Sequence, residues 1–205
     1  MNIAVFASGG GSNFQALINK NHEGELHCTF GLLVGNNSKA KCFERAKRNS
    51  IPYLHIAPSH FENEKQYSEK LLQELYSRKI ELIVLAGYMK KIPSLIIKKY
   101  SNRIINIHPA LLPSFGGKGM YGKHVHRAVL DYGAKVTGIT VHFVDEEYDH
   151  GAIILQETVK VLTNDDTDSL AARVLVVEHE YYWKAIEAII QGSIKIEGRK
   201  VIDIK

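Results

Sequence analysis

The order of its segments predicts an α/β protein. A mostly parallel, twisted sheet with helices on both faces is followed by a C-terminal part with antiparallel strands and a long helix. Three observations predict this. Strand-like and helix-like segments alternate through the first half of the 205-residue chain, as a parallel sheet requires, since each parallel pair needs a crossover. The early strand-like runs are continuously apolar, which is how strands buried on both faces read. The second half changes pattern, to one strongly alternating run and one long helical segment.

Residues 3–7, Ile-Ala-Val-Phe-Ala, form the first apolar run, and Ser8-Gly9-Gly10-Gly11 a loop. Residues 13–19 read as a helix with Phe14, Leu17 and Ile18 on one side. Residues 28–34 make a second strand, stopped by Gly35-Asn36-Asn37. A helix over 39–49 ends ahead of Ile51-Pro52, and 53–56 is a third strand. Tyr67, Leu71, Leu72 and Leu75 fall at helical spacing within 61–78. Residues 82–86 and 104–107 are the fourth and fifth strands. After a glycine-rich loop at 116–122 come a helix over 124–131 and strands over 136–144 and 152–161. A long helix over 168–191 has Thr167 or Asp168 to cap it and Gly192 to close it, and 194–202 looks like a hairpin. The absence of linkers, repeats and low-complexity stretches predicts one Rossmann-like domain over 1–205.

Composition narrows the function. Hydrophobic residues make up 45% and charged residues 23% of the chain, ordinary for a globular protein. A net charge of +4 suits a small anionic substrate and is too weak to argue for nucleic acid. Cys28 and Cys42 are the two cysteines. They form no CxxC and fit a reducing, cytoplasmic setting. The first residues carry no signal-peptide pattern, and no apolar run approaches the roughly 18 residues of a membrane span.

Two segments carry chemistry. Glycines 9–11 with Ser12 and Asn13 stand between a strand and a helix, where bare backbone and helix-start N–H groups can cradle a phosphate. The dinucleotide fingerprint is incomplete, because Phe14 replaces the third glycine and no acidic residue ends the second strand. No Gly-Lys-Ser/Thr follows, so this is not a nucleotide P-loop either. At the end of the fifth strand, Asn106 and His108 are two apart and share a face. Both can donate to a developing oxyanion. The acidic run Asp145, Glu146, Glu147, Asp149 offers a carboxylate to manage a proton; turn position favours Asp149, although spacing alone does not choose among them. A carboxylate beside His108 would favour its imidazolium form. His124-x-His126, His142 and His150 lack the spacing of a metal site, and none is expected.

With these residues in view, MNIAVFASGGGSNFQAL, VLAGYMKKI, INIHPALLPSFGG, TGITVHFVDEEYDHGAIILQ and ARVLVVEHEYY closely resemble the phosphoribosylglycinamide formyltransferase family, within the formyltetrahydrofolate-using superfamily. The resemblance runs from Met1 to about Tyr182. It implies transfer of a formyl group from 10-formyltetrahydrofolate to the amine of glycinamide ribonucleotide, by a cytoplasmic monomer or homodimer that needs no metal and engages neither nucleic acid nor membrane. It implies a phosphate-binding half over 1–100 and a catalytic, folate-binding half over 101–205. The family's catalytic Asn, His and Asp fall on Asn106, His108 and Asp149. Its ribonucleotide contacts fall on Gly11, Ser12, Asn13 and Glu178. Its folate positions fall on Met89, Lys90, Ile92, Asn106, Val144, Asp145 and Asp149. Where familiar bacterial members have arginines, this chain has Glu64 and Lys90, so Lys90 or Lys91 would meet the folate's glutamate tail as a simple charge. The loop at 116–122 is longer than in the shortest relatives and is expected to flank the ribonucleotide. The alternatives are a formyltetrahydrofolate hydrolase, which usually carries an added N-terminal domain, a methionyl-tRNA formyltransferase, which adds a C-terminal one, and a non-catalytic folate- or nucleotide-binding module.

Overall fold

A computed structural model describes residues 1–204. The chain divides into two compact units, Met1–Ile105 and Asn106–Lys205. It is an α/β fold, mostly parallel at first and antiparallel towards the C-terminus.

In the first unit β1 (Asn2–Ala7), β2 (Thr29–Gly35), β3 (Tyr53–His55) and β4 (Leu82–Leu85) are parallel, in the order β3-β2-β1-β4. Ile3 to Ala7 are fully buried, because β1 is paired on both edges and covered on both faces. That burial explains the unbroken apolar run in the sequence. Helices α1 (Ser12–His22), α2 (Cys42–Arg48) and α3 (Glu64–Ser77) connect them, and α4 (Ser94–Lys99) follows β4. Phe14, Leu17 and Ile18 of α1 and Leu71 and Leu75 of α3 are buried. Asn63 caps α3, its side chain accepting from the Gln66 N–H at 3.0 Å.

Three of the differences from the sequence reading have a local cause. α2 begins at Cys42 rather than 39, because the Cys42 N–H donates to the Gly9 carbonyl at 3.2 Å. α4 was not expected, since six residues are too few to display a helical period. α6 (Thr167–Ile190) is capped by Asp166, not by Thr167 or Asp168. The Asp166 backbone is extended, and its carboxylate accepts from the N–H groups of Asp168 and Ser169 at 3.0 and 2.8 Å.

β5 (Ile104–His108) carries the chain into the second unit. There α5 (Lys123–Tyr132) precedes β6 (Val136–Phe143) and β7 (Ile153–Lys160), an antiparallel pair. After α6, β8 (Ile194–Glu197) and β9 (Lys200–Asp203) form the expected hairpin, and β9 joins β7 in parallel at Ile153 and Lys200. Among the described residues no helix is long and apolar enough to cross a membrane.

Gly151 closes the loop between β6 and β7. A Cβ there would lie 1.9 Å from the Phe143 carbonyl oxygen, a backbone atom that cannot rotate away. Gly151→Ala is therefore expected to destabilise the protein by about 2 kcal/mol or more. A lowered midpoint in thermal melts would register this, and an unchanged one would contradict it.

Candidate active site

The second unit holds Asn106, His108 and Asp149. Asn106 and His108 leave the end of β5 two residues apart. His142 on β6 holds the first of them. The His142 Nδ1–H donates to the Phe143 carbonyl at 2.7 Å, so in the neutral ring Nε2 is an acceptor. It lies 3.2 Å from Asn106 Nδ2. This fixes the orientation of the Asn106 amide and leaves its second N–H for another acceptor.

His108 is buried, with 3% exposure. Its Nε2–H donates to the Phe115 carbonyl at 2.9 Å. Its Nδ1 lies 3.6 Å from Asp149 Oδ2, and Asp149 Oδ1 lies 3.7 Å from His142 Nε2. The Gly117 N–H donates to Asp149 Oδ2 at 2.9 Å. One carboxylate thus faces both imidazoles, and the loop after β5 anchors His108 through the Phe115 carbonyl and Asp149 through the Gly117 N–H.

The local fold explains how this loop is held. Thr140, fully buried on β6, donates to the Ala110 carbonyl at 2.7 Å and accepts from the Leu112 N–H at 3.0 Å. Gln156 on β7 donates to the Leu112 carbonyl and to Thr140 Oγ1, each at 3.0 Å. Phe115 and Asp149 both adopt left-handed backbone, φ 55° and 54°, a costly conformation for non-glycine residues. At Phe115 it accompanies the carbonyl bonded to His108. A Cβ on Gly116 would come within 2.5 Å of the Leu112 Cδ2 methyl and 3.3 Å of Asp149 Cβ, so a larger residue there has to displace the Leu112 side chain.

The charge state corrects the sequence argument. Burial holds the His108 pKa below its usual value; the Asp149 carboxylate and the Phe115 carbonyl pull upward but do not prevail. The resting ring is neutral at pH 7, not imidazolium. Burial likewise lowers His142, and it lowers His126, with a further push from His108. These shifts carry a stability signature. A histidine with a depressed folded-state pKa leaves the unfolded chain binding more protons once the pH falls below about 6.5. Stability is then lost as the pH drops from there towards the folded-state values, each ring adding a slope of up to about 1.4 kcal/mol per pH unit. Thermal melts between pH 7.5 and 5 should show the midpoint falling below pH 6.5, and a flat profile would refute the neutral buried rings.

The first unit holds the glycine loop. Gly11, at φ 69°, precedes α1, and a Cβ on it would meet Cys42 Cβ at 2.8 Å. Ser12 opens the helix, and Asn13 is buried beside it. Ser8 Oγ accepts from the Met89 N–H at 2.8 Å and donates to Asn36 Oδ1 at 2.6 Å, tying this loop to the one after β4. Met89 and Lys90 are exposed there and Ile92 is buried. Lys90 borders a cleft of about 630 Å³ with Asn37, His55 and His60. Glu64 is the first residue of α3.

Elsewhere in the second unit, Glu178 is buried on α6, where burial and then the Glu178 charge raise the Tyr182 phenol. Val144 and Asp145 open the loop that carries Asp149.

Two participants were missed. His142 was weighed only as a metal ligand; its place two residues after Thr140 on an alternating strand was the available signal. Arg45 donates to the Gly10 carbonyl at 2.8 Å, bringing a guanidinium to the glycine loop. An arginine within a helical run gives no sign of this.

Known proteins resemble this chain in sequence and in fold. The family model described as formyl transferase matches residues 1–186. The phosphoribosylglycinamide formyltransferase of Bacillus subtilis is 38% identical over 187 residues, covering 91% of this chain and 93% of that one. The chloroplastic phosphoribosylglycinamide formyltransferase of Vigna unguiculata is 44% identical over 193 residues, 94% of this chain; the chain spans 62% of that relative's length. The crystal structure of glycinamide ribonucleotide transformylase 1 from Symbiobacterium toebii superposes with a TM-score of 0.94 at 36% identity, covering 100% of this chain and 94% of that one. On the match over residues 1–186 and the agreement in fold, this chain belongs to the formyl transferase family.

Proposed function

We propose that this chain moves the formyl group of 10-formyltetrahydrofolate to the amine of glycinamide ribonucleotide, giving N-formylglycinamide ribonucleotide and tetrahydrofolate in purine synthesis. The observation that carries the proposal is the grouping of His108 and His142 about the Asp149 carboxylate, with Asn106 held on His142. The relatives named phosphoribosylglycinamide formyltransferase supply the substrates. The donor set suits addition of an amine to a carbonyl: an amide N–H for the oxygen that gains charge, an imidazole for the proton, and a carboxylate for the imidazolium that results.

In this reading the co-substrate provides an activated formyl carbon. Asn106 donates its second N–H to the formyl oxygen. His108 Nδ1, the nitrogen not engaged by Phe115, takes the amine proton as the amine adds. Asp149 then stabilises the cation, which returns the proton to N10 of the folate as the adduct collapses, the bond from the formyl carbon to N10 breaks and tetrahydrofolate leaves. Gly11, Ser12 and Asn13 bind the ribonucleotide phosphate, and Glu178 contacts the rest of that substrate. Met89, Ile92, Val144 and Asp145 border the folate together with Asn106 and Asp149, and Lys90 meets its glutamate carboxylates. The chain acts as one formyltransferase domain over 1–205, in the cytoplasm, as a monomer or homodimer, on small molecules and without a metal ion.

The test follows loss of the formyl donor with and without glycinamide ribonucleotide. Dependence on the ribonucleotide is expected; formate release without it would favour a hydrolase. Replacing Ser12 and Asn13 with alanine should raise KM for the ribonucleotide about tenfold or more, the scale of a lost charge-assisted contact. An unchanged KM would remove the phosphate cradle from the reading.

A further inference from the structure

The terminal hairpin reaches back to the loop that carries Asp149. Arg199 lies in the turn between β8 and β9, beside Gly198 at φ 62°. From Nη1 it donates to His150 Nε2 at 2.6 Å, and from Nη2 to the His150 carbonyl at 2.7 Å. The other ring nitrogen, Nδ1, is 2.8 Å from Asp145 Oδ2. Arginine can only donate, so Nε2 accepts and the proton sits on Nδ1, from which it is given to Asp145. Asp145 Oδ1 in turn accepts from the Glu147 N–H at 2.9 Å.

A continuous relay, Arg199 to His150 to Asp145 to Glu147, therefore spans the loop, with Asp149 inside it in left-handed backbone. The turn end of the hairpin is fixed next to the same loop, where Lys200 pairs with Ile153. Arg199 lies outside residues 1–186, the segment that the family model matches.

We propose that Arg199 is a positioning residue, acting through His150 and Asp145 to hold the 144–150 loop in the conformation that presents Asp149 and the folate-facing backbone. This rests on the formyl-transfer reading. The fork is what suits arginine to this role. Its two parallel donors fix both the ring and the carbonyl of one residue, which a lysine ammonium does not do.

The experiment compares Arg199→Ala, Arg199→Lys, His150→Ala and the Arg199→Ala/His150→Ala double variant in the full chain. Arg199→Ala should raise KM for the formyl folate about two- to fivefold, the scale of an exposed charge-assisted contact. KM for the ribonucleotide should stay unchanged, with kcat reduced by a smaller factor. Arg199→Lys should restore the folate KM only in part. His150→Ala leaves the hairpin intact and should reproduce the Arg199→Ala effect, and the double variant should be no worse than either alone. Amide exchange across 144–151 should quicken in both single variants, a readout independent of turnover. An unchanged folate KM, or effects that simply add in the double variant, would overturn the proposal. A wild-type chain with no ribonucleotide-dependent turnover would sink the functional reading instead, and the relay would then stand or fall on the exchange data.

Discussion

Replacing His108 with alanine is expected to lower kcat about 10²–10³-fold, the loss typical of one donor or proton-transfer group in carbonyl addition. KM for the ribonucleotide should barely move, because its phosphate is assigned to Gly11, Ser12 and Asn13. His108 is buried and bonded to Phe115, so alanine also leaves a cavity and an orphaned carbonyl. His108→Gln provides the control: its amide can still donate to that carbonyl, and it should melt near the wild type while remaining slow. Turnover within threefold of wild type in a folded His108→Gln protein would take His108 out of the mechanism. The pH profile gives a second check. With the ring neutral at rest and its pKa held below 6.5, kcat/KM should persist below pH 6.5 and fall only on further acidification. A mechanism that needs a resting imidazolium would instead gain rate as the pH drops through that range.

Asp149→Asn should cost a comparable factor, about 10²–10⁴ in kcat, the range of general acid–base assistance. The isosteric amide oxygen can still accept the Gly117 N–H, so the loop should keep its place and the fold its stability near neutral pH. What disappears is the charge that faces both His108 and His142. Both rings have pKa values that Asp149 pulls upward. Without it they should be harder still to protonate, and the imidazolium formed during the reaction would lose its counter-charge. Wild-type turnover of the Asp149→Asn protein in steady-state kinetics would exclude this carboxylate from the chemistry. The double variant His108→Gln/Asp149→Asn should be little slower than either single change, because the two groups act as one unit.

Much of the fold could be read directly because its signals are local. Continuous apolar runs at β1 and β4 mark strands covered on both faces. The spacing of Tyr67, Leu71 and Leu75 marks one helix face. Asn106 and His108 could be paired from the strand period alone. The errors were of another kind. α2 starts late because a backbone donor is taken by Gly9, which is far away in sequence. α4 is too short for periodicity to register. His142 matters through the Asn106 amide, a partner on a different strand.

The chain by itself determined which residue types could do the chemistry and which strand end would carry two of them, because backbone period and side-chain chemistry are properties of short segments. Turn position favoured Asp149 among four nearby acidic residues, but only tertiary structure decided that it faces both rings and that His108 rests neutral rather than charged. The first choice depends on how a loop closes through contacts distant in sequence. The second depends on how much water burial removes, and desolvation here outweighs the attraction of the neighbouring carboxylate.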